Sequence, residues 1–203
     1  TATTEIYTLS LHDALPISGV ELIKIAQLGA DDATKAVEAA QRAFPAWAKL
    51  TAKQRSNILR KWFDLIIANR EDLALILTSE QGKPLAEALG EVDIGAAYVE
   101  FFAEEARRVY GETIPTQRAD ARLLAIRQPI GVCGAITPWN FPNSMITRKV
   151  SPALAAGCTV VLKPANETPL SALALAVLAE KAGVPKGVLN IITGDAPPIG
   201  QVL

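Results

Sequence analysis

The segment CTVVLKP, residues Cys158–Pro164, is a short apolar run rich in β-branched residues, and it predicts a buried β-strand. Two similar runs lie on either side of it along the chain, GVCGAITP at 131–138 and GVLNIITG at 187–194. Helix candidates lie between the runs, at about 144–156 and 170–182. Strands that alternate with helices are typical of a parallel sheet with helical crossovers. We therefore predict an α/β fold whose ligand site lies beyond the carboxyl ends of these strands.

The upstream part of the chain, residues 31–110, predicts a separate layer of helices. Apolar residues recur there at helical spacing, and capping or breaking residues separate the periodic segments. After this layer, RLLAIRQP at 122–129 alternates and predicts a strand or a connecting ribbon. The predicted helix boundaries are caps at Asp31 or Asp32 and at Thr51, a stop at Pro45, an end at Gly82, and a long fourth helix from Pro84 through Tyr110.

The composition excludes several classes of function. Half of the 203 residues are hydrophobic, which allows a substantial core, and the formal net charge is −1. Because no run of like charge occurs, we expect neither nucleic acid nor a membrane surface as a partner. The sequence has no stretch of the ~20 apolar residues that a membrane span needs. Cys133 and Cys158 form neither a disulfide framework nor a zinc spacing, so we expect no metal and a reducing, cytoplasmic setting.

The opening segment, TATTEIYTLSLHDALPIS at 1–18, holds the only histidine of the chain, His12, near Ser10 and Asp13. These residue types serve in nucleophilic catalysis, but a catalytic triad depends on geometry and not on adjacency in sequence. A signal peptide is excluded because the segment has no basic start and no long apolar core. The segment resembles the in-frame translation of a common sequencing-library adapter. We therefore expect residues 1–18 to be an artefactual, disordered segment before a natural sequence that begins near Gly19.

Long motifs further along resemble the aldehyde dehydrogenase superfamily, and the resemblance extends from about Gly19 to Leu203. It implies an N-terminal helical layer packed on an incomplete Rossmann-like parallel sheet. In this interpretation residues 19–203 are a truncated cofactor-binding domain, with a helical part at 31–110 and a βαβαβ part at 121–203, and the catalytic and oligomerisation domains are absent. The superfamily motifs are AITPWNFP at 135–142, PALAAGCTVVLKPANETP at 152–169 and AGVPKGVLNIITG at 182–194. The motifs similar to the subgroup that oxidises succinate semialdehyde are SEQGKPLAEALGEV at 79–92 and FFAEEARRVYGETIP at 101–115.

Asn140 lies between Pro138 and Pro142, in a turn that follows the first predicted strand of the sheet. From the residues alone, a helix cap or a turn asparagine is the simpler interpretation. The resemblance implies a catalytic role instead, because the matching asparagine donates to the oxyanion of a thiohemiacetal formed by a catalytic cysteine. Neither Cys133 nor Cys158 has the sequence context of that nucleophile. We therefore expect this chain by itself to be inactive.

Lys163 closes the second predicted strand, where its apolar stem can pack while its ammonium group reaches a ligand. A surface lysine is the alternative, but the resemblance implies contact with the adenosine ribose of NAD or NADP. Asn166 stands where many NAD-preferring relatives have a glutamate, so it indicates tolerance of NADP, although Glu167 can offset this. The cofactor-binding residues implied by the resemblance are Ile136, Thr137, Pro138, Trp139, Lys163, Pro164, Ala165, Asn166 and Gly200.

Arg148 lies about two helical turns beyond Asn140. In isolation it is a solvated helix arginine. The resemblance implies that it binds the distal carboxylate of the substrate, as the matching arginine does in dehydrogenases of the succinate-semialdehyde type. A small aldehyde with a distal carboxylate, an NAD(P)-dependent oxidation and a homo-oligomeric parent enzyme follow from this resemblance. Oxidation of glutarate semialdehyde is one alternative, and a non-catalytic nucleotide-binding module is another.

Overall fold

The computed structural model describes residues 11–14 by their backbone and residues 21–203, and it combines a helical layer with short strands. Its strands are β1 (Leu11–Ala14), β2 (Ile23–Ala26), β3 (Glu112–Ile114), β4 (Leu123–Ala125), β5 (Val132–Ile136), β6 (Thr159–Lys163) and β7 (Leu189–Ile191). Its helices are α1 (Ala30–Ala48), α2 (Ala52–Ala68), α3 (Arg70–Gln81), α4 (Leu85–Glu105), α5 (Ser144–Ala156), α6 (Leu170–Ala182) and α7 (Ala196–Gly200), and α4 continues into a 3-10 turn, Ala106–Arg108. Within this described part of the chain, none of the helices combines the length and the apolar composition needed to cross a bilayer.

β5, β6 and β7 form a parallel sheet with β6 in the middle. The register pairs Val132 with Thr159 at the start of β5 and Ile136 with Lys163 at its end. α5 and α6 are the crossover helices, and their bounds agree with the helices predicted at 144–156 and 170–182. The predicted α/β fold with a parallel sheet is therefore confirmed.

Alternation along β6 gives the sheet two covered faces. Val160 and Leu162 belong to the large core that the sheet shares with α2 to α6. Val161, between them, belongs to a second core with Ala33 of α1 and Ile199 of α7. The fully buried β6 strand is the reason why its sequence is a continuous apolar run and not an alternating one.

α2, α3 and α4 form an outer layer on the crossover helices. Two buried tryptophans, Trp47 of α1 and Trp62 of α2, each bind one of the crossover helices. The Trp47 indole N–H donates to the carbonyl of Leu154 on α5, with a distance of 3.2 Å. The Trp62 indole N–H donates to the carbonyl of Leu175 on α6, with a distance of 3.1 Å. Each ring thus fills the core while its one polar atom remains hydrogen-bonded.

Several of the predicted helix boundaries agree with the structure. The Thr51 hydroxyl accepts from the backbone N–H of Gln54 at the start of α2, and Gly82 ends α3 with φ of 82°. The predicted stop at Pro45 is wrong, because α1 continues through it to Ala48. A proline costs the helix one hydrogen bond, and the complete burial of Trp47 holds the last turn in place.

Two other boundaries and one strand differ from the prediction. The N-cap of α1 is Gly29, whose backbone N–H donates to Asp32 Oδ2 at 3.3 Å, so Asp32 caps the helix from inside its first turn. α4 ends at Glu105 instead of continuing to Tyr110. The predicted ribbon after the helical layer forms β4, which pairs antiparallel with β3, a strand that the sequence pattern did not predict.

The predicted disorder of the opening segment does not extend to Leu11–Ala14. These four residues form β1 and pair antiparallel with β2, with His12 opposite Ile25 and Asp13 opposite Lys24. Without β1, the strand β2 would present free backbone groups, and the pairing with β1 satisfies them. Ser10 and the remainder of 1–18 lie outside the described residues, and the adapter origin of the segment stays a prediction.

Glu80 joins α3 to the N-terminus of α6. Its carboxylate accepts from the backbone N–H groups of Leu170 and Ser171, at 2.7 and 2.9 Å, and from the Ser171 hydroxyl. Burial raises the pKa of Glu80 above its usual value, although the hydrogen bonds from Ser171 and Leu170 oppose this. The carboxylate therefore satisfies N–H groups at a helix end that has no partners within its own helix.

Replacing Glu80 with Gln should remove part of the pH dependence of stability. With a raised pKa, the native state holds the Glu80 proton more tightly than the unfolded state, so the free energy of unfolding falls as pH rises from about 4.3 through the native pKa. Urea unfolding of wild type and Glu80→Gln between pH 4 and 7 measures this difference. Identical pH slopes for the two proteins would contradict the role of burial at Glu80.

Candidate functional site

The carboxyl ends of β5 and β6 place several of the predicted site residues side by side. Ile136 and Lys163 are paired in register, and the Thr137 backbone N–H donates to the Lys163 carbonyl at 3.1 Å. Thr137 is buried, whereas Ile136, Pro138 and Trp139 are exposed. One wall of the predicted site is therefore the edge where two parallel strands end, as the fold leads one to expect.

Lys163 is almost completely buried, with 2 % of its surface exposed. Its Nζ donates to the carbonyl of Pro164 and to Oδ1 of Asn166, each at 2.8 Å. Burial lowers the pKa of Lys163, and the nearby carboxylates of Glu167 and Asp195 oppose this shift. The hydrogen bond to Asn166 holds the Lys163 ammonium group next to the Asn166 amide, so a ligand that contacts one group lies close to the other.

The turn between Lys163 and α6 carries three of the predicted cofactor-binding residues. Pro164 is buried, and Ala165 and Asn166 are partly exposed. Pro169 precedes α6, whose first amides bind Glu80. The turn is therefore held at both ends, by β6 on one side and by the bound helix terminus on the other.

Gly200, at the end of α7, lies close to the same edge. A Cβ atom built on Gly200 would lie 3.8 Å from Cδ1 of Ile136. The loop before α7 is held to the segment between β2 and α1, because the Leu28 backbone N–H donates to the Thr193 carbonyl at 3.0 Å and Leu28 forms a parallel bridge with Gly194. Predicted cofactor residues from three separate segments therefore converge on the end of β5.

Asn140 lies in the turn between β5 and α5, and it is exposed. Its backbone carbonyl accepts from Lys83 Nζ at 3.0 Å. Lys83 also forms an ion pair with Glu91, with Nζ and Oε2 2.6 Å apart, and Glu91 Oε1 accepts from the N–H groups of Asn143 and Ser144 at 2.8 and 3.1 Å. The turn that carries Asn140 is therefore held by two charged residues of the helical layer.

Arg148 and Lys149 lie next to each other on α5, and both are exposed. Lys149 Nζ donates to the Ile136 carbonyl at 2.5 Å, which ties α5 to the end of β5. Among the described residues, no hydrogen bond or ion pair joins Arg148 to Asn140, although both belong to the crossover that begins at β5. The guanidinium of Arg148 remains accessible to a ligand.

Sequence reasoning missed Lys83, Glu91 and Lys149. A signal for Glu91 exists, because it shares a helical row with the buried residues Ala88 and Gly95 and is thus an acidic residue at a core position of α4. Lys83 carries no such signal, since it lies between a helix end and a proline. Its role depends on contacts with residues more than fifty positions away.

The two cysteines do not form a nucleophilic site in the described structure. Burial, together with the neighbouring Cys158, raises the pKa of Cys133 to about 11. Cys158 is itself buried, with 3 % of its surface exposed. Since the thiolate is the reactive form, the Cys133 thiol is poorly suited to attack at neutral pH.

Replacing Lys163 with Met tests whether the fold depends on this buried ammonium group. Because its native pKa is lowered, the native state binds fewer protons than the unfolded state up to about pH 10.4, so the free energy of unfolding rises with pH in this interval. Lys163→Met should abolish that rise and be at least as stable as wild type at pH 7. Denaturant unfolding from pH 7 to 10 measures both effects, and a loss above about 2 kcal/mol at pH 7 would show that the ammonium group is structurally required.

Comparison with known proteins gives one family and close relatives. The model of the aldehyde dehydrogenase family matches residues 8–203. The chain is 60 % identical to 3-sulfolactaldehyde dehydrogenase of Pseudomonas putida and 58 % identical to glutarate-semialdehyde dehydrogenase of Pseudomonas aeruginosa. It is also 58 % identical to succinate-semialdehyde dehydrogenase GabD of Escherichia coli, whose name specifies NADP(+). Each match covers 93 % of this chain and 39 % of the relative, so the chain spans well under half the length of these proteins.

Solved structures agree with the fold described above. The crystal structure of an NADP-dependent enzyme of Escherichia coli has a TM-score of 0.93 and 57 % identity, over 95 % of this chain and 40 % of its own. The structure of an NAD-dependent aldehyde dehydrogenase from Sinorhizobium meliloti has a TM-score of 0.92 and 42 % identity, over 96 % and 39 %. The architecture of residues 21–203 is thus similar to part of a longer enzyme chain.

Proposed function

Because the chain belongs to the aldehyde dehydrogenase family, we propose that it is the N-terminal part of an NAD(P)-dependent enzyme that oxidises succinate semialdehyde to succinate. We call the complete enzyme the parent. The observation that carries this proposal is the crossover from β5 to α5, which presents Asn140 and Arg148, both exposed, beside the strand ends that hold Lys163. An amide donor, a carboxylate-binding guanidinium and a buried ammonium group are the parts that such a reaction needs from this region.

In the proposed reaction, a cysteine thiolate of the parent attacks the aldehyde carbon, and Asn140 stabilises the resulting oxyanion through its side-chain N–H. A neutral donor suits this task because it binds the oxyanion without requiring a proton transfer. Cys133 and Cys158 are poor candidates for the thiolate, for the reasons of pKa and burial given above. We therefore assign the nucleophile to the part of the parent beyond this chain, and we propose that the chain alone is inactive.

NAD(P)+ would accept the hydride from the thiohemiacetal, and water would then hydrolyse the resulting thioester to succinate and release the cysteine. The residues of the strand edge fit such a dinucleotide. Lys163 offers a buried ammonium group beside the Asn166 amide, and Gly200 leaves space next to Ile136 that a larger side chain would fill. We propose that Lys163 and Asn166 bind the adenosine ribose, and that Gly200 and the 136–139 segment accommodate the rest of the cofactor.

Arg148 is the proposed determinant of substrate class. The three relatives named above are called dehydrogenases of 3-sulfolactaldehyde, glutarate semialdehyde and succinate semialdehyde, and each of these aldehydes carries an anionic group at its other end. A guanidinium can bind a carboxylate through two parallel hydrogen bonds. We infer that Arg148 binds the distal carboxylate, with glutarate semialdehyde as the alternative substrate.

Arg148→Ala in the parent should raise KM for succinate semialdehyde about 100-fold, since two charge-assisted hydrogen bonds are lost. An uncharged aldehyde of similar length, such as butanal, should be affected less than about threefold because it never makes these bonds. Steady-state kinetics with succinate semialdehyde, glutarate semialdehyde and butanal measure the effect and identify the preferred acid.

Three outcomes would contradict these assignments. An equal loss with butanal would show that Arg148 does not bind a carboxylate. Turnover of succinate semialdehyde by the 203-residue chain alone would show that the nucleophile lies within it. A parent that binds NADP+ but oxidises none of the three aldehydes would favour a nucleotide-binding module over a dehydrogenase.

Asn166 is the proposed determinant of cofactor tolerance. Asn166→Glu places a carboxylate next to the cofactor ribose, where it repels a 2′-phosphate but accepts a hydrogen bond from a 2′-hydroxyl. The variant should lower kcat/KM for NADP+ at least about tenfold and leave that for NAD+ within about threefold. Asn166→Gln, which stays neutral, is the matched control, and parallel losses for both cofactors in Asn166→Glu would contradict the assignment.

We also infer that the parent is a homo-oligomer in the cytoplasm. The β3–β4 hairpin and the segment after it expose Leu124, Ile126 and Ile130, at 69, 73 and 87 %. Monomeric proteins rarely expose such apolar clusters, so a second copy of the enzyme is the proposed cover. The free thiols Cys133 and Cys158 support a reducing compartment.

A further inference from the structure

We propose that Lys83 and Glu91 are positioning residues for the oxyanion donor Asn140. The inference rests on the proposed function, because it takes Asn140 as the group that donates to the oxyanion. Asn140 lies in the turn at 137–143, and both Lys83 and Glu91 form hydrogen bonds with the backbone of this turn. Neither residue belongs to the crossover from β5 to α5, so the constraint comes from the helical layer.

Lys83 contacts the turn directly at Asn140 and at the next residue. Its Nζ donates to the Asn140 backbone carbonyl at 3.0 Å and lies 4.0 Å from the centre of the Phe141 ring. An ammonium group over an aromatic ring is attracted by the negative face of the ring. Two different interactions of one cation therefore restrain the backbone from which the Asn140 side chain projects.

Glu91 completes the restraint from α4. One carboxylate oxygen accepts from Lys83, and the other accepts from the amides of Asn143 and Ser144 at the start of α5. The side chain of Glu91 is only 1 % exposed and that of Lys83 only 10 %. Water therefore screens this pair weakly, and the carboxylate lies at the positive end of the α5 dipole.

α4 packs closely on the start of α5 near the Lys83–Glu91 pair. A Cβ atom on Gly95, one helical turn after Glu91, would lie 2.3 Å from Oδ1 of the buried Asn143 side chain. A side chain at position 95 would have to displace Asn143 Oδ1, so the glycine favours this close approach. The Lys83–Glu91 pair thus lies beside a close contact between α4 and the start of α5.

The test uses the double variant Lys83→Met, Glu91→Gln in the parent. It removes the cation and its two contacts with the turn, and it avoids leaving a buried charge without a partner, while the new side-chain amide at position 91 can still accept from an N–H group of α5. We expect kcat for succinate semialdehyde to fall at least about tenfold with KM within about twofold, since loss of an entire oxyanion donor costs about 10²–10³. In an Asn140→Ala background the same double variant should lower kcat less than about twofold, because the group that it positions is absent.

The control is Arg70→Met, Asp93→Asn, which removes another ion pair between α3 and α4 that contacts neither α5 nor the turn. It should leave kcat unchanged. Equal falls in kcat in the wild-type and Asn140→Ala backgrounds, or no fall in either, would overturn the proposal.

Backbone hydrogen exchange of the parent without substrate separates this inference from the proposed function. We expect the backbone N–H groups of 137–144, other than the prolines Pro138 and Pro142, to exchange at least about tenfold faster in the Lys83→Met, Glu91→Gln variant, with exchange in β6 unchanged. If the wild-type parent oxidises no semialdehyde, the proposed function fails, and exchange then decides only whether Lys83 and Glu91 restrain the turn. Unchanged exchange at 137–144 would then overturn it.

Discussion

The N-termini of the two crossover helices have to be buried, and two glutamates of the helical layer make this possible. Glu91 binds the first amides of α5, and Glu80 binds the first amides of α6. The first N–H groups of a helix have no partner within the helix, and leaving them unsatisfied in a protein interior is costly. A carboxylate supplies both the acceptor and the charge that the helix dipole favours. The helical layer and the sheet are therefore joined by charge-assisted hydrogen bonds as well as by apolar packing.

This arrangement explains why the candidate site residues lie in two short turns. Each turn begins at the carboxyl end of a strand and ends at a helix terminus that a glutamate holds. The first turn carries Asn140, and the second carries Asn166 next to Lys163. Neither turn is restrained by its own sequence alone, since both depend on side chains that lie 52 to 91 residues away. In the first turn, Lys83 binds the backbone carbonyl of Asn140 and not its side chain, so this restraint does not occupy the side-chain amide.

The buried charges near the site differ in what they do for the protein. Glu80 and Glu91 are bound on several sides by donors, and their role is structural or positional. Lys163 has two neutral acceptors, and burial lowers its pKa, so the nearby carboxylates of Glu167 and Asp195 compensate its charge only in part. A buried ammonium group of this kind gains from an additional polar ligand, which is consistent with the proposed cofactor site. Burial also favours the uncharged form of Cys133. Together with the neighbouring Cys158, it raises the pKa of this thiol, which therefore stays protonated and unreactive.

The sequence by itself determined the elements whose signals are local. The β-branched run of β6 and the bounds of α5 and α6 could be predicted because apolar periodicity, glycine caps and prolines act within a few residues. The motifs around Asn140, Lys163 and Arg148 also indicated the candidate site residues, but only through their resemblance to a known family. Tertiary structure decided which of these residues meet and what holds them. The Lys83–Asn140 contact, the Lys149–Ile136 contact, the continuation of α1 past Pro45 and the pairing of Leu11–Ala14 all depend on partners that lie in other elements of the fold. Propensity does not report such partners, because the free energy that selects them arises only when separate elements pack together.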